Sequence, residues 1–341
     1  MSISDHGLVS YNPATGLVRD YIKNEISHDL YDKVILSMYV DFTGILWIGT
    51  YFDGVIKLVP LINSFKHYGS DGVLPAVRTR GGVTAILEDS RGYLWLGTRF
   101  GGLYRIDRRT NKYTVYQKQP DGANGLSSNN ILSIAELCEG NKQVVWIGTN
   151  GGGLNRFEPE TGRFKVYRRS NGLPGSQANN AISGILPYDK DHLVIGTQSR
   201  DMGDGIDIFN LRTGNFINLK YSSANIRSLS SNNVLVLYKD RSDTVWVGTR
   251  NGGLNKLVVK NINAKEPDSV GCFVRYMNNP DDPGSLNNNT VYAIHEDAQN
   301  NLWIGTSIGG LNNLCPLFTL CKMTRHAAFG GLFAAILTLS A

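Results

Sequence analysis

Leu46-Trp47-Ile48-Gly49-Thr50 is the first of six copies of one five-residue pattern in this chain. The central residues of successive copies, Trp in five and Val194 in the fourth, are separated by 48, 51, 48, 52 and 57 residues. A period in that range indicates an array of similar units, each packed against its neighbours. The five later copies are Leu94-Trp95-Leu96-Gly97-Thr98, Val145-Trp146-Ile147-Gly148-Thr149, Leu193-Val194-Ile195-Gly196-Thr197, Val245-Trp246-Val247-Gly248-Thr249 and Leu302-Trp303-Ile304-Gly305-Thr306.

Each unit predicts four short strands, as residues 130–167 illustrate. Residues 131–136 alternate apolar and polar side chains, the period of a half-buried strand. Residues 144–149 are almost continuously apolar, which is typical of a strand covered on both faces. Turns rich in Gly then separate residues 153–157 from 164–167. The sequence therefore predicts an all-β fold, a β-propeller of four-stranded blades, in which the repeated Trp packs between blades.

The repeat pattern predicts a propeller over residues 1–315 with six to seven blades, and it leaves open whether the ring is complete. Residues 316–341 form an atypical apolar tail, which we interpret as truncated or frameshifted sequence. The apolar run at 327–341 is shorter than the ~20 residues of a membrane span, and no signal peptide is visible at the N-terminus. The units are predicted near 33–68, 82–116, 130–167, 180–221, 233–276 and 289–315, with a half-blade at 5–21.

Composition indicates a globular chain and argues against a nucleic-acid partner. Hydrophobic residues make up 41% and charged residues 18% of the 341 residues, and the net charge is only +5. Two basic clusters are interpreted as solvated outer-strand faces. The first contains Arg105, Arg108, Arg109 and Lys112, and the second contains Lys165, Arg168 and Arg169.

The residues give no indication of catalysis, a metal or a cofactor. The four Cys show no CxxC spacing, the six His occupy unrelated positions in the units, and no Gly-x-Ser-x-Gly motif occurs. Asp201 and Asp204 lie in an expanded turn at 198–205 and Asp207 follows it, but their spacing does not match an EF-hand calcium loop. We therefore expect a longer surface turn there, no metal, no cofactor and no enzyme activity.

In each unit the turn between the second and third strands is called here the second-to-third turn. Antiparallel connectivity places these turns of all units, together with the connections between units, on one face of the propeller. These turns carry variable residues on a repeated frame, where binding residues of a rigid scaffold usually occur. They offer aromatic platforms and planar polar groups, which a sugar site requires. The predicted ligand-binding residues are Tyr51, Phe52, Arg99, Phe100, Asn150, Arg200, Arg250 and Asn251.

A Gly-Gly-Leu motif follows the Gly-Thr pair in four units, for example at Gly101-Gly102-Leu103 and Gly252-Gly253-Leu254. With the Thr-Gly-x-Phe turn at 161–164, this order resembles two-component regulator propeller repeats. The resemblance implies the extracytoplasmic, periplasmic sensor of a bacterial receptor with a histidine kinase or diguanylate cyclase output domain. It also implies an oligosaccharide or other nutrient-derived ligand, and a homodimer. The alternative is a standalone propeller scaffold that binds protein partners.

Overall fold

The computed structural model describes residues 2–3, 7–11, 18–20, 35–41, 45–52, 54–59, 64–68, 82–120, 124–140, 142–169, 181–199, 203–314 and 320–322. These residues form six four-stranded sheets and one three-stranded sheet, and each sheet keeps the order of its strands in the chain. Neighbouring strands within each of these sheets are antiparallel, for example with Leu96 opposite Tyr104. The predicted all-β propeller of four-stranded blades is confirmed.

Six blades, numbered here in chain order, have the following strands. Blade 1 contains β4 (Ile35–Val40), β5 (Leu46–Thr50), β6 (Val55–Val59) and β7 (Ser64–Tyr68). Blade 2 contains β8 (Val83–Glu88), β9 (Tyr93–Thr98), β10 (Leu103–Asp107) and β11 (Tyr113–Tyr116). Blade 3 contains β12 (Ile131–Glu139), β13 (Lys142–Thr149), β14 (Gly153–Glu158) and β15 (Arg163–Tyr167).

The second half of the chain repeats this arrangement. Blade 4 contains β16 (Ile182–Pro187), β17 (His192–Thr197), β18 (Ile206–Asn210) and β19 (Phe216–Leu219). Blade 5 contains β20 (Val234–Lys239), β21 (Val245–Thr249), β22 (Leu254–Val259) and β23 (Gly271–Tyr276), with the short helix α1 (Pro267–Val270) before β23. Blade 6 contains β24 (Val291–Glu296), β25 (Leu302–Thr306), β26 (Gly310–Leu314) and β27 (Leu320–Lys322).

The two ends of the chain depart from the pattern of the sequence repeats. An N-terminal sheet pairs β1 (Ser2–Ile3) with β2 (Gly7–Tyr11) and β2 with β3 (Val18–Asp20). Blade 6 gains its outer strand from β27, whose Cys321 pairs with Asn313 of β26. This strand lies in the segment 316–341, where the sequence pattern predicts no blade strand.

The first strand of each blade contacts the first strand of the next, from β4 and β8 through to β20 and β24. The repeated Gly explains how closely these blades approach. A Cβ atom on Gly97 of blade 2 would lie 2.6 Å from Cγ2 of Ile131 in blade 3. The equivalent Gly248 of blade 5 meets Val291 of blade 6 in the same way. Gly is therefore required where the neighbouring strand packs on the backbone.

The apolar core lies between adjacent blades, as predicted for the repeated Trp. Trp95 of blade 2 is fully buried and clusters with Ile131, Val145 and Phe157 of blade 3. Its ring lies 5.9 Å from that of Phe157 in an edge-to-face arrangement. Such burial removes large apolar surfaces from water at each interface, which holds successive blades together.

The Thr that ends each pentapeptide closes the following turn. Thr98 Oγ1 donates a hydrogen bond to Gly102 O over 2.8 Å, and the same bond occurs in every blade at 2.8–3.0 Å. The hydroxyl accepts as well, since the amide of Gly101 donates to Thr98 Oγ1 over 3.0 Å. The second-to-third turns therefore keep one frame while their outer residues vary.

Two arginines of the basic clusters are not solvated, so that part of the sequence interpretation is wrong. Arg108 of blade 2 lies 2.6 Å from Asp41 of blade 1 and 2.7 Å from Glu88, and its side chain is only 16% exposed. Arg169 is 13% exposed and lies 2.7 Å from Asp204 of blade 4. These arginines join successive blades, because acidic side chains distant in sequence lie opposite them.

Candidate functional site

The face formed by the second-to-third turns is held in place by the connections between blades. The amide of Arg99 donates to Gly82 O over 3.2 Å, and Asn150 donates to Asn130 O over 2.8 Å. Gln198, Arg250 and Ser307 make the equivalent bond in blades 4, 5 and 6. In blades 2 to 6 the residue after the Gly-Thr pair is thus fixed to the end of the preceding connection. Side chains at these positions project from a rigid frame.

Polar side chains reinforce this face in blades 3, 5 and 6. In blade 3, Asn155 Nδ2 donates to Ser127 Oγ over 2.8 Å, and the amide of Ser127 donates to Asn155 Oδ1 over 2.9 Å. Asn255 and Ser230 repeat this pair in blade 5. Because the Asn side chains are fully buried, their pairing satisfies polar groups that would otherwise be costly.

Three predicted site residues come together between blades 1 and 2. Arg99 Nη1 donates a hydrogen bond to Tyr51 Oη over 3.1 Å, and the guanidinium carbon lies 5.7 Å from the centre of the Tyr51 ring. Phe52 packs edge-to-face against Tyr51, with ring centres 4.4 Å apart. The Phe52 side chain is 75% exposed. Tyr51, Phe52 and Arg99 form what we call the aromatic cluster, an exposed platform with a cation at its edge.

The other predicted residues lie apart from the aromatic cluster. Phe100 is 60% exposed, and no ring contact joins it to another described residue. Arg250 is exposed, and Asn251 accepts a hydrogen bond from Thr290 Oγ1 over 3.0 Å. Arg200 lies outside the described residues. Asn150 lines a separate groove on the same face.

This groove lies between blades 2 and 3 and was not predicted from the sequence. Two adjoining cavities of about 490 and 640 Å³ share Lys118, Ser127 and Arg168 in their walls. The first extends to the turn at Asn150, and the second extends to Phe164 of the outer strand β15. We call these two cavities the blade 2–3 groove.

A charged cluster replaces the Asn–Ser pair in blade 4. Asp207 stands where blades 3 and 5 have Asn155 and Asn255, and its carboxylate lies 3.3 Å from Arg169. Asn218 Nδ2 donates to Asp207 Oδ1 over 2.7 Å. Burial raises the pKa of Asp207 to about 6, although Arg169 and Asn218 lower it. The change from Asn to Asp inside a repeat was the sequence signal for this site.

Asp204 and Asp207, two of the three acidic residues in and after the expanded turn of blade 4, lie beside cations. Asp204 contacts Arg169 and lies 3.0 Å from Lys220 Nζ, while Asp207 is buried in the sheet. Asp201 lies outside the described residues. No group of three or more His, Cys, Asp or Glu suited to a metal ion occurs in the described part of the chain. The described acidic pair therefore takes part in contacts between blades 3 and 4.

In the described part of the chain, no helix combines the length and the apolar character needed to cross a membrane.

The chain is a β-propeller whose repeats match a known sequence family. Two-component regulator propeller repeats match at residues 79–100, 228–251 and 285–307, which confirms the resemblance for these segments. No curated protein sequence matches the chain.

Solved structures share the fold at low sequence identity. The extracellular domain of a putative hybrid two-component system from B. thetaiotaomicron is 22% identical with a TM-score of 0.56, over 83% of this chain and 40% of its own. PorZ, a surface component of the type-IX secretion system of Porphyromonas gingivalis, is 15% identical with a TM-score of 0.63. That alignment covers 86% of this chain and 42% of PorZ. The chain thus spans less than half the length of both structures, and these identities support the fold alone.

Proposed function

We propose that this chain is an extracytoplasmic sensor propeller of a two-component-type receptor, which binds an oligosaccharide on the face of the second-to-third turns. The family match of its repeats supports the sensor role, and the extracellular domain from B. thetaiotaomicron with the same fold supports the location. The receptor's output domain, a kinase or cyclase, lies outside this chain. The propeller itself recognises ligand and catalyses no reaction.

The aromatic cluster is the observation that supports a saccharide ligand. An exposed aromatic ring presents an apolar surface to the C–H face of a sugar, while a guanidinium donates several hydrogen bonds to hydroxyl groups. Phe52 supplies the exposed ring, and Arg99 is held beside it by its bond to Tyr51. The cluster stands on two turns with fixed backbones, so little ordering is needed when ligand binds.

Signalling requires the ligand to favour one arrangement of the receptor over another. The propeller is built from rigid blades, and we propose that it transmits binding as a whole body, within a homodimer, rather than through an internal rearrangement. A ligand bound at the aromatic cluster contacts blades 1 and 2 together.

Binding of neutral oligosaccharides to the purified chain tests this function. Isothermal titration calorimetry with a panel of oligosaccharides should identify a ligand, and Tyr51→Ala combined with Arg99→Ala should weaken its binding about tenfold or more. Arg109→Ala is the matched control, because Arg109 is 84% exposed in a third-to-fourth turn on the opposite face. Equal affinity of the double variant and the control would overturn the assignment of the cluster.

A protein-binding scaffold is the second candidate. Phe52, Phe100 and Ile308 are 75%, 60% and 63% exposed on the turn face, and exposed apolar groups of this size occur in protein interfaces. Co-purification of one defined partner, lost in Phe52→Ser combined with Phe100→Ser and unaffected by oligosaccharide, would favour the scaffold over the sensor.

A further inference from the structure

We infer that the blade 2–3 groove binds an anionic sugar residue, one that carries a carboxylate or sulfate group. This inference rests on the proposed function, because it names the class of oligosaccharide that the turn face recognises. It adds a second subsite, between blades 2 and 3, to the aromatic cluster of blades 1 and 2.

Cations that form no ion pair with a described residue line the groove. Lys118 and Arg168 lie in both cavities, and Lys165 lines the second, although its ammonium group lies 4.7 Å from the centre of the Tyr167 ring. No ion pair between described residues includes any of the three. No carboxylate is present among the described residues that line the cavities. The described residues that line the groove therefore carry net positive charge, which favours an anionic ligand.

Other arginines in and beside blade 3 form ion pairs with acidic side chains, unlike the cations of the groove. Arg156 lies 2.6 Å from Glu139, and Arg169 lies 2.7 Å from Asp204. Both are mostly buried and neutralised by the protein itself. The exposed cations Lys118 and Arg168 are instead available to an external anion.

The wall of the second cavity is apolar on one side, which favours a sugar over a bare inorganic anion. Phe164 and Val166 of β15 line it together with Leu126. The Phe164 ring stacks on Phe157, with ring centres 4.3 Å apart. A sugar ring can cover this apolar surface while its acidic group reaches Lys118 or Arg168, the cations that line both cavities, whereas phosphate alone would contact only the cations and hydroxyls.

Hydrogen bonds fix the connection that forms the groove. Asn124 Nδ2 donates to Gly162 O over 2.8 Å, and Asn124 Oδ1 accepts from the amide of Phe164 over 2.6 Å. Arg168 Nε donates to Gly152 O over 3.1 Å, which holds the guanidinium at the rim of the first cavity. A site already formed before binding loses less entropy when ligand enters.

Calorimetry on the full chain with matched charged and neutral ligands tests this inference. The probes are tetragalacturonate, neutral galactotetraose and a tetraglutamate peptide, each at 50 mM and 300 mM salt. We expect tetragalacturonate to bind most tightly and more weakly at high salt. Lys118→Ala combined with Arg168→Ala should weaken that binding about tenfold or more. Arg109→Ala combined with Lys112→Ala is the control, since it removes the same charge from the opposite face.

The outcomes separate this inference from the proposed function. Tighter binding of tetragalacturonate that is lost only in the groove variant supports the inference. Binding of neutral oligosaccharide at the aromatic cluster, with no gain from the carboxylates or no effect of the groove variant, overturns the inference and leaves the sensor function in place. Preference for tetraglutamate overturns the inference in favour of an acidic peptide. Failure of every oligosaccharide overturns both proposals.

Discussion

The indole nitrogen of Trp95 donates a hydrogen bond to Oδ2 of Asp89 over 2.8 Å. Asp89 lies six residues earlier, in the turn between β8 and β9, and its Oδ1 accepts from the amides of Arg91 and Tyr93. One carboxylate thus fixes both the turn and the Trp that packs against the next blade. The same bond joins Trp47 to Asp41, Trp246 to Asp240 and Trp303 to Asp297.

Replacing Trp95 with Phe should destabilise the protein more than replacing Trp146 with Phe. Both side chains are buried, but the first hairpin of blade 3 is longer and places Leu137 where blade 2 has Asp89, and the Trp146 nitrogen has no hydrogen-bond partner among the described residues. Trp95→Phe leaves a buried carboxylate oxygen without its donor, which costs about 1–3 kcal/mol beyond the loss of volume. Urea denaturation of the two variants measures the difference.

A double-mutant cycle isolates the bond itself. Asp89→Ala should cost less in the Trp95→Phe background than in the parent protein, because the bond is already lost there. Equal losses of stability in Trp95→Phe and Trp146→Phe would show that the hydrogen bond makes no net contribution.

Arg108→Ala should lower the free energy of unfolding by about 3–5 kcal/mol, because it leaves two buried carboxylates without their cation. Asp41 and Glu88 contact Arg108 from blades 1 and 2. Burial raises the pKa of Glu88 and Arg108 lowers it, so removal of the arginine makes the ionised carboxylate less favourable still. Denaturation by urea at pH 7 is the measurement.

Arg109→Ala is the natural comparison for Arg108→Ala. Arg109 is 84% exposed and lies 3.9 Å from Asp107, so its removal should change stability by less than about 0.5 kcal/mol. Similar effects of the two substitutions would mean that the Arg108 contacts contribute little.

The repeat pattern predicted the blades and the packing of the Trp residues because both depend on local periodicity. It did not predict the environment of Arg108, since Asp41 is 67 residues away and reaches Arg108 only through the packing of two blades. Net charge along one strand carries no information about the charge on the neighbouring blade. The sequence interpretation of a solvated basic face was wrong for that reason.

The candidate site was likewise predicted only in part from the sequence. Tyr51 and Arg99 occupy equivalent positions in their turns, which predicted that they share one face of the propeller. The structure brings them within hydrogen-bond distance. The blade 2–3 groove depends on how the connection at 124–128 lies against β15, which bonds such as Asn124 to Gly162 determine. Irregular connections have no period from which such contacts could be predicted.

Ionisation of the Asp207 carboxyl group should make the protein less stable as pH rises from about 4 to 6. Its pKa is raised from 3.8 to about 6 by burial, so the folded state binds a proton more tightly than the unfolded state does. The resulting stability is fully present below pH 3.8 and is lost as pH rises through about 6, with a magnitude on the order of 3 kcal/mol. Urea midpoints measured from pH 3.5 to 7 test this dependence.

Asp207→Asn is the variant that assigns the effect. It keeps the shape of the side chain and the position that Asn155 and Asn255 occupy in blades 3 and 5, but it cannot titrate. The difference in stability between the parent and Asp207→Asn should therefore change with pH over this window. A difference that is constant from pH 3.5 to 7 would exclude Asp207 as the titrating group.

Gly97→Ala should destabilise the protein by about 1–3 kcal/mol through overpacking between blades 2 and 3. The added Cβ would lie 2.6 Å from Ile131 Cγ2 and 3.0 Å from Ile131 Cβ, inside the contact distance of both atoms. Gly184→Ala is the matched control, because Gly184 also lies in a strand but its nearest neighbour, Leu237, would be 3.4 Å away. That substitution should be neutral or stabilise slightly by restricting the unfolded chain. Thermal denaturation of the pair, together with Gly97→Ala in an Ile131→Ala background, tests the packing directly. If removing the Ile131 side chain does not reduce the cost of Gly97→Ala, the repeated Gly serves a purpose other than the close approach of adjacent blades.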